Sequence, residues 1–326
     1  MRTLVLSLAI IFSIAFRVPP ALRETARIDN LSLTLKEIFA KVKRYSVYRS
    51  RVNWRELENK ILKDDQQDLS EAVFKQKVRL IFETIGDQHG AFYYKGERLG
   101  MDRSWTKRLR IPQNQPERVN LHTQRLAEGY GYLLVPSENR HDRQTCQNYQ
   151  DVLCGLGPEN LKGLVIDLRL QEGGSVYPLF VGLQQLYGTT SFGSNRDING
   201  KVYQQWTGSY GGIQLKNLCK INPKLKIVVI TSQITASAGE MMAVGLKGSP
   251  NTLFIGEPTA GFTTMNVNFN LGTYQLAIAA SVIADRDGKI YPGSVLPDVT
   301  MVEGDYFKDL SKDKKVMAAV KWMKEQ

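Results

Sequence analysis

The sequence predicts an α/β protein with a helical module in front of an α/β core. Three observations carry this reading. Apolar side chains recur at helical spacing through residues 27–86. Two short runs, 163–168 (GLVIDL) and 225–230 (LKIVVI), are apolar with almost no polar alternation, as strands covered on both faces are. Each run passes through a small-residue turn into an apolar, helix-like segment. The chain has 326 residues, 42% hydrophobic and 23% charged, an ordinary balance for a folded soluble protein. Its net charge is +11, yet no Lys/Arg block has interleaved aromatics. The charge reads as a basic surface suited to anionic membranes or cell walls, and no nucleic-acid partner is expected.

Residues 1–22 open with Arg2, run apolar from Thr3 to Phe12, and offer Ser13-Ile14-Ala15 as a cleavage site before Arg17, Pro19 and Pro20. At about 14 residues the run is shorter than the ~20 a membrane helix needs. It reads as an export signal, with an uncleaved membrane anchor as the alternative. The expected location is therefore periplasmic or otherwise extracytoplasmic. No Cys follows the run, which argues against a lipoprotein anchor.

The module spans 27–118. Leu35, Ile38, Phe39, Val42 and Tyr45, then Trp54, Leu57 and Ile61, then Phe74, Val78, Ile81, Phe82 and Ile85 define three helices with breaks at 49–53 and 64–68. Gly86 to Gly90 ends them in a turn containing His89. A lone His in a turn is ordinarily a surface residue, but flanking glycines permit close backbone approach. Residues 96–118 read as a polar connection. His122 and His141 lie in polar surroundings and read as solvent-facing.

The core spans 119–304. Residues 132–135 read as a strand, 144–156 as a helix and 163–168 as a strand. Glu172-Gly173-Gly174 and a helical segment at 176–187 follow. Strand, glycine pair and helix can point backbone N–H groups into a site, or can be an empty turn. Residues 191–212, with Phe192, Tyr203, Trp206 and Tyr210, read as a hairpin or a flap over a cleft, whose aromatics suit an extended peptide or, for Trp206, the core. The 225–230 strand, a turn at 231–235 and a helix ending before Gly248 put Ser237 where a strand hands over to a helix. The first N–H groups of a helix lack partners there, so a Ser237 hydroxyl could attack a carbonyl and the Ala238 N–H could hold the resulting oxyanion. The bland alternative is that Ser237 or Thr235 merely caps the helix. Strands at 252–255, 267–271 and 274–284, a strand end at 293–299 and a basic amphipathic helix at 305–326 complete the chain.

Cysteines 146, 154 and 219 are an odd set. Cys146 and Cys154 on one helix would lie ~12 Å apart, beyond the ~7 Å limit for a disulfide. Free buried thiols and a bridge to Cys219 both stay open. No ligand spacing implies a metal.

Three separated pieces now align: Asp167-Leu168-Arg169-Leu170-Gln171-Glu172-Gly173-Gly174, Thr235-Ala236-Ser237-Ala238-Gly239-Glu240, and Gly256-Glu257-Pro258-Thr259-Ala260-Gly261, with Pro297-Asp298 at the end. Together they resemble the tail-specific, or C-terminal-processing, serine protease family over residues 130–301. The resemblance implies a ClpP/crotonase-like spiral core. One branch of the family activates its serine with a lysine after the third motif, where this chain has Phe262. The other, which includes tricorn and nisin-resistance proteases, uses a histidine from a turn like Gly86-Asp87-Gln88-His89. Residues 174–183 and the helical front also resemble the nisin-resistance type. The family's usual Asn is Gln171 here, and Gln88 and Tyr291 stand where the tricorn type has Ser and Glu.

The resemblance implies an exported serine endopeptidase acting on peptides or protein C-termini through an acyl-enzyme. Ser237 and His89 form the catalytic pair, and Ala238 with Gly173 or Gly174 forms the oxyanion hole. Gln171 and Glu240 are supports, Glu240 either orienting nearby loops or closing a capping box with Ser237. No cofactor or metal is implied. Two rivals remain. One is a catalytically silent peptide- or lipid-binding relative. The other is an α/β-hydrolase, whose GxSxG elbow is not met because Thr235 stands at the first glycine.

Overall fold

The computed structural model describes residues 30–63 and 69–325. The expected export segment and the break at 64–68 lie outside the described residues. Two six-stranded sheets organise the chain. The first is made by β3 (His122–Arg125), β4 (Tyr130–Leu134), β5 (Gly163–Asp167), β8 (Lys226–Thr231), β9 (Thr252–Gly256) and β12 (Val299–Thr300), in the order β12-β9-β8-β5-β4-β3. All its pairings are parallel except β3 with β4.

Both faces of this sheet are covered, which explains the unbroken apolar runs. Leu164, Ile166, Ile227 and Val229 point into one core with α4 (Arg143–Gly155) and α5 (Ala238–Leu246). Val165, Val228 and Ile230 point the other way, against Val316, Ala319 and Met323 of α6 (Lys314–Glu325). The basic helix thus begins at Lys314, not at 305. Residues 305–313 are turns because Asp305 and Asp313 are drawn into a buried ionic cluster.

That cluster is centred on Arg169, which is fully buried. Its guanidinium donates to Asp167 (2.6 Å), Asp305 (2.7 Å) and Asp313 (2.8 Å). Lys315 donates to Asp305, and the Tyr132 hydroxyl to Asp167. Burial pushes the Asp305 carboxyl up, but hydrogen bonds from Lys315 and Arg169 outweigh it and hold the group below its ordinary range.

The second sheet contains β1 (Ala91–Tyr94), β2 (Glu97–Leu99), β6 (Ser191–Arg196), β7 (Val202–Thr207), β10 (Thr264–Leu271) and β11 (Tyr274–Asp285). Its order is β2-β1-β11-β6-β7, with β10 also on β11. β10 follows one edge of β11, while the other edge carries β1 at residues 275–277 and β6 at 282–285. Helices α1 (Leu31–Tyr45) and α3 (Glu71–Ile85) pack on this sheet through Phe39, Phe74 and Phe82 against Phe92, Leu276 and Ile278, and α2 (Trp54–Leu62) packs on α3, adding Leu57 and Ile61 to the same core. This helical core therefore closes on strands from early and late in the chain. A boundary at 118/119 cuts through this shared sheet.

Several local expectations change. The connection at 96–118 contains β2, and polar β3 went unread because an edge strand needs no apolar alternation. Residues 176–187 form no α-helix but a π-helical turn, Pro178–Gly182, and a 3₁₀ turn, Gln184–Tyr187. The hairpin or flap expected at 191–212 is a hairpin of the second sheet: Phe192, Trp206 and Tyr210 are core residues, and of its four aromatics only Tyr203 is exposed. Cys154 is bonded to Cys219, with Cα atoms 5.4 Å apart, and Cys146 is a buried free thiol.

Replacing Arg169 by Ala strands carboxylates in the interior. Urea denaturation of Arg169→Ala is expected to show a loss of about 3–5 kcal/mol. A midpoint equal to the parent's would show that the cluster is not holding the fold.

Candidate active site

Ser237 stands at the N-terminal end of α5 with φ 50° and ψ −108°, a conformation a non-glycine residue adopts only under constraint. The constraint is a set of hydrogen bonds to the segment after β5. The Thr235 hydroxyl donates to the Leu168 carbonyl (2.8 Å), the Ser232 hydroxyl to the Arg169 carbonyl (2.7 Å), and the Ala236 N–H to the Gln171 carbonyl (3.0 Å). Gly239 fits because an added Cβ would lie 2.6 Å from Gln171 Oε1.

Glu240 completes the turn from inside. Its buried carboxylate accepts the Ser237 N–H (2.8 Å), the Gly261 N–H (2.7 Å) and the Thr259 hydroxyl. It thus joins the serine turn to the 256–262 loop and supplies the glutamate half of a capping box at once. Burial pushes this carboxyl up to about 7, with the Thr259, Ser237 and Gly261 donors opposing. The 256–262 loop is tied further by Arg110, which donates to Glu257 (2.9 Å).

The Gln171 side chain folds back on the glycine turn: Oε1 accepts the Gly173 N–H (2.9 Å) and Nε2 donates to the Gly173 carbonyl (3.0 Å). Of the two glycine N–H groups expected as oxyanion donors, that of Gly173 is thus engaged by Gln171. The Gly174 N–H makes no hydrogen bond among the described residues. Gly174 has φ 114°, and a Cβ there would meet the Glu138 carbonyl at 2.3 Å. The Ala238 N–H, first in its helix, is likewise uncommitted among the described residues.

His89 comes from the second sheet. β1 leaves β11 after Ala277, and Asp87 fills the break before β6 begins. Its buried carboxylate accepts the N–H groups of His89 (2.9 Å), Gly90 (2.7 Å) and Ala279 (2.9 Å). Burial raises the Asp87 pKa while these three donors oppose it. Arg103 donates to the Gln88 and His89 carbonyls and stacks on Phe262, whose ring centroid lies 5.5 Å from that of His89. Phe262 therefore packs beside the imidazole. His89 Nδ1 lies 2.9 Å from Thr264 Oγ1, at the start of β10 beside a bulge between Met265 and Asn266. Burial, helped by Arg103, pushes the imidazole down to about 3. His122 and His141 are exposed.

His89 and Ser237 line one cavity of about 10 Å³, walled by Val176 and Met241. It holds about one water. Tyr291 hydrogen-bonds to Asp285 (2.9 Å) and is not among the residues lining this cavity. Thr264 and Arg103 gave no signal in the sequence, since a lone Thr or Arg carries no motif. Asp87 lies inside the turn already singled out. Among the described residues no cluster of His, Cys, Asp or Glu could hold a metal ion.

The fold and this site define the class, a serine-peptidase architecture. The profile of peptidase family S41 matches residues 129–301, and the chain belongs to that family. It is similar to the nisin-resistance protein of Lactococcus lactis subsp. lactis, 28% identical over 174 residues, covering 51% of this chain and 55% of that one. The match thus spans about half the length of that relative. Among solved structures, a lipoprotein from Streptococcus agalactiae has a TM-score of 0.67 at 23% identity, covering 96% of this chain and 99% of that one. A photosystem II D1 C-terminal processing protease has a TM-score of 0.60 at 16% identity, covering 86% and 96%. Those two likenesses are of fold.

A ring held at about 3 when folded and near 6.5 when unfolded binds a proton only in the unfolded chain between those values. The stability it contributes is complete above pH 6.5 and declines as pH falls toward 3. NMR titration, with the signal assigned through His89→Asn, should find the His89 ring neutral at pH 5. A charged ring there would contradict this account.

Proposed function

We propose that the protein is an exported serine endopeptidase working through an acyl-enzyme. Ser237 Oγ attacks a peptide carbonyl while His89 takes its proton. A proton on Nδ1, hydrogen-bonded to Thr264, leaves Nε2 as the basic lone pair. The Ala238 and Gly174 N–H groups receive the oxyanion, each donor contributing about 3 kcal/mol to the transition state. His89 then hands its proton to the leaving amine, and water releases the acyl group. The observation that carries this reading is the shared cavity: a strained serine at a helix start and an imidazole tied at Nδ1 line the same space.

The substrate class is a peptide or a protein C-terminus, and resistance to a nisin-like peptide is one such activity. Export is supported by the apolar segment at 3–12 and by the Cys154–Cys219 bridge, a bond that persists in oxidising compartments. Membrane association would depend on whether the first 22 residues are retained.

Cleavage of a peptide library that includes nisin, followed by mass spectrometry, tests the activity. Ser237→Ala should lower kcat by on the order of 10⁴-fold or more. A fluorophosphonate should label Ser237 in the parent and fail to do so in His89→Ala. Parent protein that binds peptide but neither cleaves it nor takes the label would instead be a silent binding relative.

A further inference from the structure

The second sheet has two unlike faces. Along β10, Val267, Phe269 and Leu271 face the N-terminal helices. The alternate residues Asn266, Asn268 and Asn270 lie on the opposite face, buried, half-buried and exposed in turn. Gln275, the register partner of both Asn270 and Tyr93, continues this polar face across the sheet, and Arg98 lies opposite Tyr93. The result is an amide-rich strip running from the His89 turn to the surface.

Its inner end is anomalous. Asn266 is only 7% exposed, yet among the described residues its Oδ1 has no hydrogen-bond partner. Its Nδ2 makes a long contact to the His89 carbonyl, 3.5 Å. A buried acceptor left unmatched is destabilising, so its retention needs a reason. Asn266 lines the cavity shared by His89 and Ser237, and it also lines a second cavity with His89, Tyr93, Arg103 and Asn268 that Ser237 does not touch.

We propose that this strip, led by Asn266 and Asn268, is the subsite for the leaving segment of an extended peptide substrate, the part released as the amine. The assignment rests on the acyl-transfer reading above. The group that protonates the leaving amine must stand beside it, so the chain beyond that amine departs on the His89 side. The oxyanion donors lie with Ser237 and the glycine turn instead. Side-chain amides both donate and accept, as peptide backbone groups do. Alternate residues of β10 repeat every ~6.8 Å, the repeat of every second residue in an extended peptide. Recognition through backbone amides selects for extended residues beyond the scissile bond and tolerates varied side chains there.

The experiment compares two substrates with the same acyl part, one an anilide and one continuing for three residues past the scissile bond. In the parent, the extended peptide should have the higher kcat/KM, and N-methylation of its leaving-segment amides should erase that advantage. Asn268→Ala, which lies away from the His89 carbonyl, should lower the ratio of extended to anilide kcat/KM by about 3–10-fold. Asn266→Ala should lower it at least as much. An unchanged ratio in both variants, with normal fluorophosphonate labelling of Ser237, overturns the subsite alone. Absence of labelling in the parent overturns the acyl-transfer reading beneath it.

Discussion

The serine turn depends on an ion cluster that it meets through backbone carbonyls alone. Arg169 follows β5 directly, and its guanidinium is locked by Asp167 from its own strand and by Asp305 and Asp313 from the far end of the chain. Desolvating so many charges is expensive, and the cluster is tolerable only because nearly every donor meets an acceptor. What it secures is the backbone at 168–171. The carbonyls of Leu168, Arg169 and Gln171 then act as three fixed acceptors for Thr235, Ser232 and Ala236. With those acceptors immobile, the turn that follows has few conformations left, and Ser237 is held at a positive φ.

The imidazole is supported by different means. A break in strand pairing along β11 exposes an N–H at Ala279, and Asp87 satisfies that donor together with the N–H groups of its own turn. The ring is then confined by Thr264 at Nδ1 and Phe262 at its side. Two sheets with separate cores thus each deliver one side chain to the same cavity. Glu240 and Arg110 fasten the 256–262 loop between them.

The elements easiest to read were those whose burial leaves a one-dimensional trace. β5 and β8 are covered on both faces and so are apolar without interruption. The three N-terminal helices bury one stripe each and so repeat at helical spacing. The strand, turn and helix around Ser237 were legible for the same reason, and the motifs around it pointed to the family. The remainder depends on partners distant in sequence. Asp305 and Asp313 look like ordinary surface acids until Arg169, more than a hundred residues earlier, is seen to gather them. For 191–212 a hairpin and a flap both stayed open, because its glycines and aromatics describe a hairpin wedged into a core as well as one exposed over a cleft; the fold makes it the former. Gly173 looked as good a donor as Gly174 because only the fold shows Gln171 curling back to occupy it. Thr264 was invisible because nothing in its own neighbourhood marks a hydroxyl that meets a ring 175 residues away.

That last separation has a consequence for biosynthesis. The turn bearing His89 emerges early, but the strands that fix it, β10 and β11, are among the last parts translated. A nascent chain therefore carries the histidine without its hydroxyl support and without Ser237. On the proposed chemistry, hydrolytic competence arrives only once the C-terminal strands have been made, so the ribosome releases a chain that is inert until it folds.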